Sequence, residues 1–209
     1  MKKYLVEFIG TFLFLLVIGL CVIEPAGAGA MAPLAIGTIL MVMVYAGGYI
    51  SGGHYNPAVT LGVWMRGKCQ TKDVPFYMLA QILGAAFGSL LAVKMKGISV
   101  IVAANPNTIN ALLAEFIFTF ALVYVVLNTA TSNKTAGNSY YGLAIGFTLM
   151  TAAYAIGGIS GCAINPAVAI GLTVMGLSKL SNLWIFIVAN LAGGALAAII
   201  FKFINTQEQ

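Results

Sequence analysis

The chain alternates between long apolar stretches and short polar connections. Six of the stretches approach the roughly 20 residues that a helix needs to cross a hydrocarbon core about 30 Å thick. They lie at residues 3–23, 34–50, 76–95, 109–128, 141–157 and 183–204. Two shorter stretches, 57–65 and 166–177, would reach only about half-way across at about 1.5 Å per residue. The pattern predicts an all-α membrane protein with six transmembrane helices and two re-entrant half-helices.

Composition supports the same class. Hydrophobic residues make up 61% of the 209-residue chain and charged residues only 7%, whereas a typical soluble domain carries about 25% charged residues. The chain is therefore expected to lie in a lipid bilayer rather than in water.

The net charge of +5 fits either a nucleic-acid partner or a membrane topology. If the amino terminus is cytoplasmic, the basic residues inside are Lys2, Lys3, Arg66, Lys68, Lys72, Lys134 and Lys202. Those outside are Lys94, Lys96 and Lys179. This excess satisfies the positive-inside rule, so we expect both termini in the cytoplasm and no nucleic-acid partner. The short tails favour a bacterial inner membrane.

The tripeptide Asn-Pro-Ala occurs twice, as Asn56-Pro57-Ala58 and Asn165-Pro166-Ala167. The two asparagines are 109 residues apart, and much of the surrounding sequence recurs at that offset. The chain therefore reads as a single domain, 1–209, built from two repeats at about 1–100 and 109–209. Each repeat holds three crossings, which is an odd number, so the second repeat must be inverted relative to the first.

Each tripeptide carries a helix-start signal. Asn is a favoured N-cap. Pro suits the first helical position because the N–H that it lacks would have no partner within the helix there. Each half-helix is thus expected to begin near the bilayer centre, with the positive end of its dipole facing a cavity. If the side-chain oxygens of Asn56 and Asn165 cap the backbone, their amide groups can donate to a passing solute. Such a pair would interrupt a proton wire, and the helix ends would repel cations.

Gly-rich segments, 46–53 and 156–161, precede the two tripeptides. They are predicted as non-helical backbone, which a membrane protein tolerates at depth only where it is buried or lines a wet cavity. Two such segments that meet near mid-membrane predict a pore through the chain.

At this point the sequence resembles the aquaporin, or major intrinsic protein, family along nearly its whole length. The resemblance is carried by EFIGTF at 7–12, SGGHYNPAVT at 51–60 and GCAINPA at 161–167. It implies an hourglass pore in each protomer, formed by six tilted helices around two half-helices, and a homotetramer.

The same resemblance implies a selectivity filter at Ile36, Ala153, Cys162 and Val168. Family members usually have Arg where this chain has Val168, and water-selective members commonly have aromatic and His residues at the positions of Ile36 and Ala153. The implied filter is wide, apolar and uncharged. Glycerol-type members usually have Asp where this chain has Ala169, so that signature is missing too. The resulting hypothesis is a broad pore for water and small neutral solutes such as glycerol, urea, ammonia or peroxide.

Three ionisable residues have two interpretations each. Glu7 and Glu115 are buried in predicted spans, where carboxylates are costly and often functional. They either form a proton relay or, as the resemblance implies, hydrogen-bond the backbone of the re-entrant loops. We favour the second interpretation. His54 is either a loop-packing residue near the inner half of the pore, which we favour, or a pH gate.

No enzyme, cofactor or metal site is expected. Cys21, Cys69 and Cys162 are odd in number and lack a metal-like spacing, and no nucleophile–base pair is evident. Cys162 is expected to face the outer constriction. The alternative to a passive channel is an inverted-repeat secondary transporter of a small neutral solute, but such a protein needs coupling-ion ligands or charged substrate groups. Their scarcity favours the channel.

Overall fold

The computed structural model describes residues 1–97, 101 and 103–208. Within those ranges it contains the α-helices α1 (Lys2–Val22), α2 (Ala32–Ser51), α3 (Pro57–Met65), α4 (Val74–Lys96), α5 (Thr108–Val126), α6 (Tyr141–Ser160), α7 (Pro166–Val174) and α8 (Leu183–Ile204). Six of them lie in segments long and apolar enough to cross a membrane. The described residues hold no β-strand, only an isolated bridge between Ala104 and Ser178. The predicted fold class is confirmed. Residues 98–100, at the end of the first predicted repeat, residue 102 and residue 209 lie outside the described residues.

An even number of spans places both ends of the chain on one side of the membrane, which we call the terminal side. The opposite side is the far side. The half-helix α3 lies between two helix ends on the terminal side, and α7 lies between two helix ends on the far side. The half-helices therefore enter the membrane from opposite sides.

The outer surface of the bundle suits a lipid environment. On α4 the large apolar side chains that recur every three or four residues remain exposed: Phe76, Leu79, Leu83, Phe87 and Leu90. Residues at this spacing share one face of a helix. Lipid tails in contact with that face remove it from water.

The Gly-rich approaches to the tripeptides are mostly helical, so their prediction as non-helical backbone was wrong. α2 continues to Ser51 and α6 continues to Ser160. The helices end at Gly52 and Gly161, whose φ angles of 91° and 93° place them in the left-handed region. Glycine adopts this conformation without steric cost. Only the four or so residues before each asparagine are non-helical.

Close packing, rather than irregular backbone, explains Gly10 of α1 and Gly47 of α2. The aromatic ring of Tyr55 lies between α1 and α2, and its hydroxyl donates to the Met43 carbonyl oxygen at 2.9 Å. A Cβ at Gly10 or at Gly47 would lie 2.1 Å from an atom of this ring or its hydroxyl. Both positions therefore need glycine so that the ring can fix the first re-entrant loop.

Both half-helices end just before a glycine with a left-handed φ angle, but the sequence predicted the last residue of α3 only. α3 spans the predicted residues, whereas α7 ends at Val174, three residues before the predicted end. Gly176 has a φ of 75°, and Leu177 N donates to Leu172 O at 2.9 Å. This is the left-handed Schellman ending of a helix. The sequence did not predict this ending because apolar residues continue beyond Val174.

The two repeats interlock through the half-helices. α3 packs mainly against α8, and α7 packs mainly against α4. Each half-helix therefore rests on a spanning helix of the other repeat. α2 and α6 cross at Gly37 and Gly146, where a Cβ on either glycine would lie 2.6 Å from the other's carbonyl oxygen.

Candidate functional site

The half-helices begin at the paired tripeptides. Asn56 and Asn165 have extended backbones, with φ of −157° and −162°. The Oδ1 of Asn56 accepts a hydrogen bond from Ala58 N at 2.8 Å, and the Oδ1 of Asn165 accepts one from Ala167 N at 2.9 Å. Pro57 and Pro166 occupy the first helical position, as the N-cap pattern requires.

The two asparagines also join the repeats to each other, which the sequence did not reveal. Asn56 Nδ2 donates to the carbonyl oxygen of Ile164 at 3.0 Å, and Asn165 Nδ2 donates to that of Tyr55 at 2.9 Å. The φ angles of Tyr55 and Ile164 are positive, 47° and 38°. A primary amide carries two protons. One proton of each asparagine is therefore used between the repeats, and one remains for a solute.

Glu7 holds the first re-entrant loop. Its side chain is fully buried. Oε1 accepts from Ser51 Oγ at 2.7 Å and from His54 N at 2.9 Å. Oε2 accepts from Tyr55 N at 2.6 Å and from Gln81 Nε2 at 2.8 Å. Four donors satisfy a buried carboxylate, whose burial would otherwise be very costly.

Glu115 makes the equivalent contacts with the second loop. It accepts from Ser160 Oγ at 2.6 Å, from Ala163 N at 2.9 Å and from Ile164 N at 2.6 Å. Backbone donors thus surround both carboxylates, and within the described ranges neither has a second acid at hydrogen-bond distance. These contacts favour the loop-holding interpretation over a proton relay.

Sequence reasoning missed the polar partners from the neighbouring spans. Gln81 donates to Glu7 and also to Thr60 Oγ1, at 2.9 Å. In the second repeat Thr119 Oγ1 donates to Asn190 Oδ1 at 3.0 Å. Gln81 and Asn190 are polar residues at equivalent places in apolar stretches. That recurrence was the signal that could have identified them.

A wide cavity lies on the far side of the asparagines, and we call it the far cavity. Its volume is about 350 Å³, and all four residues predicted for the filter line it: Ile36, Ala153, Cys162 and Val168. None of its described lining residues is charged. A solute in this cavity meets mostly aliphatic walls.

A much smaller space, the middle cavity, lies between the half-helices. Its volume is about 10 Å³, and Asn56 and Asn165 both line it. This is close to the 10–15 Å³ or so that a single water needs. Most of the other lining residues are apolar. Asn56, Asn165 and His54 are therefore the side chains that can hydrogen-bond a solute in this small space.

His54 lies where the middle cavity meets a third space, the terminal cavity. This cavity has a volume of about 320 Å³ and also borders Lys68. The His54 ring nitrogen Nδ1 lies 3.1 Å from Thr60 Oγ1, and the ring packs against Tyr77 at a centroid distance of 5.0 Å. The side chain is thus held by packing and by one hydrogen bond while it lines the passage.

The cysteines are free, and they differ in position. Cys162 lines the far cavity, whereas Cys21 and Cys69 line none of the three cavities along the pore. In the part of the chain that the structure describes, no group of three His, Cys, Asp or Glu residues is placed to hold a metal ion.

Comparison with known proteins agrees with this geometry. The family model for the major intrinsic protein matches residues 1–201. The chain is 37% identical to aquaporin NIP1-4 of Oryza sativa subsp. japonica, over 98% of this chain and 77% of the relative. It is 34% identical to the glycerol uptake facilitator protein-like 6 of Lactiplantibacillus plantarum, over the full length of both.

A solved structure shows the same fold. The X-ray structure of the aquaglyceroporin from Plasmodium falciparum superposes with a TM-score of 0.82 at 22% identity, covering 99% of this chain and 98% of that one. Together with the family match over almost the whole sequence, this leads to one conclusion. The chain belongs to the major intrinsic protein family.

Proposed function

We propose that this chain, a passive membrane channel for water and small solutes, also admits neutral solutes larger than water, with glycerol and urea as the first candidates. The observation that carries the proposal is the far cavity, whose volume of about 350 Å³ surrounds the four filter positions. The names of two relatives, a glycerol uptake facilitator and an aquaglyceroporin, support it.

The chemistry of the filter explains this preference. Val168 is a buried aliphatic side chain that lines the far cavity. It offers neither a charge nor a hydrogen bond, so it gives water no advantage over a neutral solute. Width, rather than polar recognition, then decides which solutes pass this position.

We assign exclusion of protons and ions to the paired asparagines and the half-helices. The N-termini of α3 and α7 present the positive ends of two helix dipoles to the middle cavity. The remaining amide protons of Asn56 and Asn165 orient a water through its oxygen. A water held in this way cannot pass a proton along a continuous wire.

A flux panel in proteoliposomes tests the proposal. The purified chain is reconstituted, and shrinkage or swelling is followed by stopped-flow light scattering for water, glycerol, urea and ammonia, with empty vesicles as the control. We expect water and all three solutes to pass, with a flux that increases linearly with the gradient. Water flux with complete exclusion of glycerol and urea would overturn the broad range. Saturable uptake coupled to an ion gradient would instead indicate a secondary transporter.

The assembly and the location are further parts of the proposal. We expect one domain of two inverted repeats, a homotetramer, a bacterial inner membrane and cytoplasmic termini, with no enzymatic reaction. The orientation is supported by the excess of basic residues on the terminal side. Mass measurement of the detergent-solubilised protein tests the tetramer, and accessibility of terminal tags in intact cells tests the orientation.

A further inference from the structure

The pore lining passes from a large cavity to a much smaller one at Phe14 of α1 and Leu149 of α6. Both side chains line the far cavity, of about 350 Å³, and the middle cavity, of about 10 Å³. Among the described residues, Ala163 is the only other one shared by the two linings, and it contributes a single methyl group. Phe14 and Leu149 are therefore the large side chains at the step from the large cavity to the small one.

The narrowing is built into one face of α6. Ile145, Leu149, Ala153 and Gly157 follow one another at intervals of four residues, so they share a helix face. Ile145 lines the middle cavity, Leu149 lines both cavities, and Ala153 and Gly157 line the far cavity. The side chains on this face become smaller toward the far side, so the face leaves more room beyond Leu149 than at Leu149 itself.

The other walls of the narrow part are also large aliphatic groups. Leu40 and Leu122 line the middle cavity and are 5% and 3% exposed. Leu40 is the counterpart of Leu149, at the offset of 109 residues that separates the two asparagines. Leu122 is the counterpart of Phe14, at the offset of 108 residues that separates the two glutamates. Phe14 is the one aromatic member of this set of four. The largest of these four side chains therefore lies where the far cavity meets the middle cavity.

We infer that Phe14 and Leu149 set the size limit of the channel, a role that the resemblance places at Ile36, Ala153, Cys162 and Val168. This inference rests on the proposed function, because it concerns which solutes a broad channel admits. A solute that fits the far cavity meets this aliphatic step next, and its cross-section must fit between the two side chains before its hydroxyl groups can reach the asparagines.

Permeability to polyols of increasing cross-section tests the inference. The full-length chain is reconstituted in vesicles, and glycerol, erythritol and pentaerythritol fluxes are each divided by the water flux. The variants are Phe14→Leu, which introduces the residue of the other repeat, and Leu149→Ala. A third variant, Ile36→Ala, tests the competing assignment, because Ile36 is one of the four filter positions and lines the far cavity but not the middle cavity. Size exclusion in detergent checks that each variant is folded.

We expect Phe14→Leu and Leu149→Ala to raise the erythritol-to-water ratio about tenfold, by analogy with the discrimination that one methylene gives in an apolar enzyme pocket. Ile36→Ala should leave the ratio unchanged, because the far cavity is already wide. The inference is wrong if Ile36→Ala has the same effect as the other two, or if neither folded variant changes the ratio.

The result also separates this inference from the proposed function. If the wild-type chain passes water alone, the proposed range of solutes is wrong. The inference about the size limit then requires that Phe14→Leu or Leu149→Ala admits glycerol and that Ile36→Ala does not. If no variant admits glycerol, the inference fails as well.

Thiol labelling gives a readout that needs no flux. Cys162 lines the far cavity, and a Leu40→Cys variant in a Cys162→Ser background places a thiol in the middle cavity. We expect Cys162 to react with both methyl and benzyl methanethiosulfonate, and Leu40→Cys to react with the methyl reagent only. Adding Phe14→Leu should open Leu40→Cys to the benzyl reagent. Equal labelling of both sites by the benzyl reagent in the absence of Phe14→Leu would contradict the inference.

Discussion

Gly37 and Gly146 face each other where α2 crosses α6, and each lies against the carbonyl oxygen of the other. A Cβ on either residue would approach that oxygen to 2.6 Å. The two helices come from different repeats, so this contact fixes how closely the repeats approach on one side of the pore. Glycine permits an approach that any other residue would prevent.

We expect Gly146→Ala to lower the free energy of unfolding by about 1–3 kcal/mol, the usual cost of overpacking. Gly158→Ala is the matched control, because it lies on the same helix and a Cβ there would meet nothing within 4 Å. In a helix, alanine at that position should be neutral or stabilising by up to about 1 kcal/mol. Thermal unfolding in detergent compares them, and equal melting temperatures would contradict the close contact.

Asn56→Ala removes two interactions, the cap on α3 and the hydrogen bond to Ile164. Asn107→Ala removes only a cap, because Asn107 accepts from Ile109 N and Asn110 N at the exposed start of α5. A lost cap costs about 1 kcal/mol, and a lost hydrogen bond costs about 1 kcal/mol more. Thermal unfolding should therefore show a larger loss for Asn56→Ala. A pH-sensitive dye in vesicles should also report a proton leak for that variant alone.

Glu115→Gln tests the loop-holding carboxylate. The side-chain NH2 of the new glutamine would face backbone N–H groups that donate to a carboxylate oxygen in the wild-type chain. We therefore expect a loss of about 1–3 kcal/mol in the free energy of unfolding. Glu24→Gln is the control, since Glu24 accepts from Gly27 N at 3.1 Å in an exposed loop. A stable Glu115→Gln channel with altered proton flux would instead favour a proton relay.

Val168→Arg tests the uncharged filter. The far cavity, of about 350 Å³, has room for the guanidinium, which would narrow the passage and bind water strongly. We expect the glycerol-to-water permeability ratio to fall about tenfold or more, by analogy with the rejection of larger groups by a filled pocket. Val168→Met has a comparable length without charge or donors and should lower the ratio less. If neither variant changes the ratio, residue 168 does not face the solute.

Mercurial block tests Cys162. Because this thiol lines the far cavity, we expect reversible inhibition of flux in the wild-type chain and none in Cys162→Ser. Cys21→Ser and Cys69→Ser should remain sensitive. Neither Cys21 nor Cys69 lines a cavity along the pore, so a reagent bound to either thiol does not obstruct the passage. Full block of Cys162→Ser would mean that the reagent acts elsewhere.

Local signals in the sequence predicted the six spans and the start of both half-helices. The Asn-Pro pairs and the length of the apolar stretches are sufficient for that purpose. α3 was predicted to its last residue because polar residues follow Met65 at once. α7 was predicted too long because apolar residues continue past Val174. Hydropathy cannot detect a turn that one left-handed glycine creates.

Contacts between distant residues could not be read in this way. The hydrogen bonds from Asn56 to Ile164 and from Asn165 to Tyr55 depend on how two loops meet. The taper from Ile145 to Gly157 was present in the sequence, but only the cavities show that this face lines the pore. Periodicity alone also fits a face that packs against a neighbouring helix.

The bonds that join the two loops end on main-chain carbonyl groups, and this affects how the two copies can diverge. Residue 55 is tyrosine and its counterpart, residue 164, is isoleucine, yet each accepts the same hydrogen bond. Since every amino acid supplies a main-chain carbonyl, the acceptor of this hydrogen bond does not depend on the side chain, even though the ring of Tyr55 also fixes its own loop. After a gene duplication, one copy could therefore acquire new pore-lining side chains, such as His54 opposite Ala163, while the ancestral symmetry of the backbone persisted.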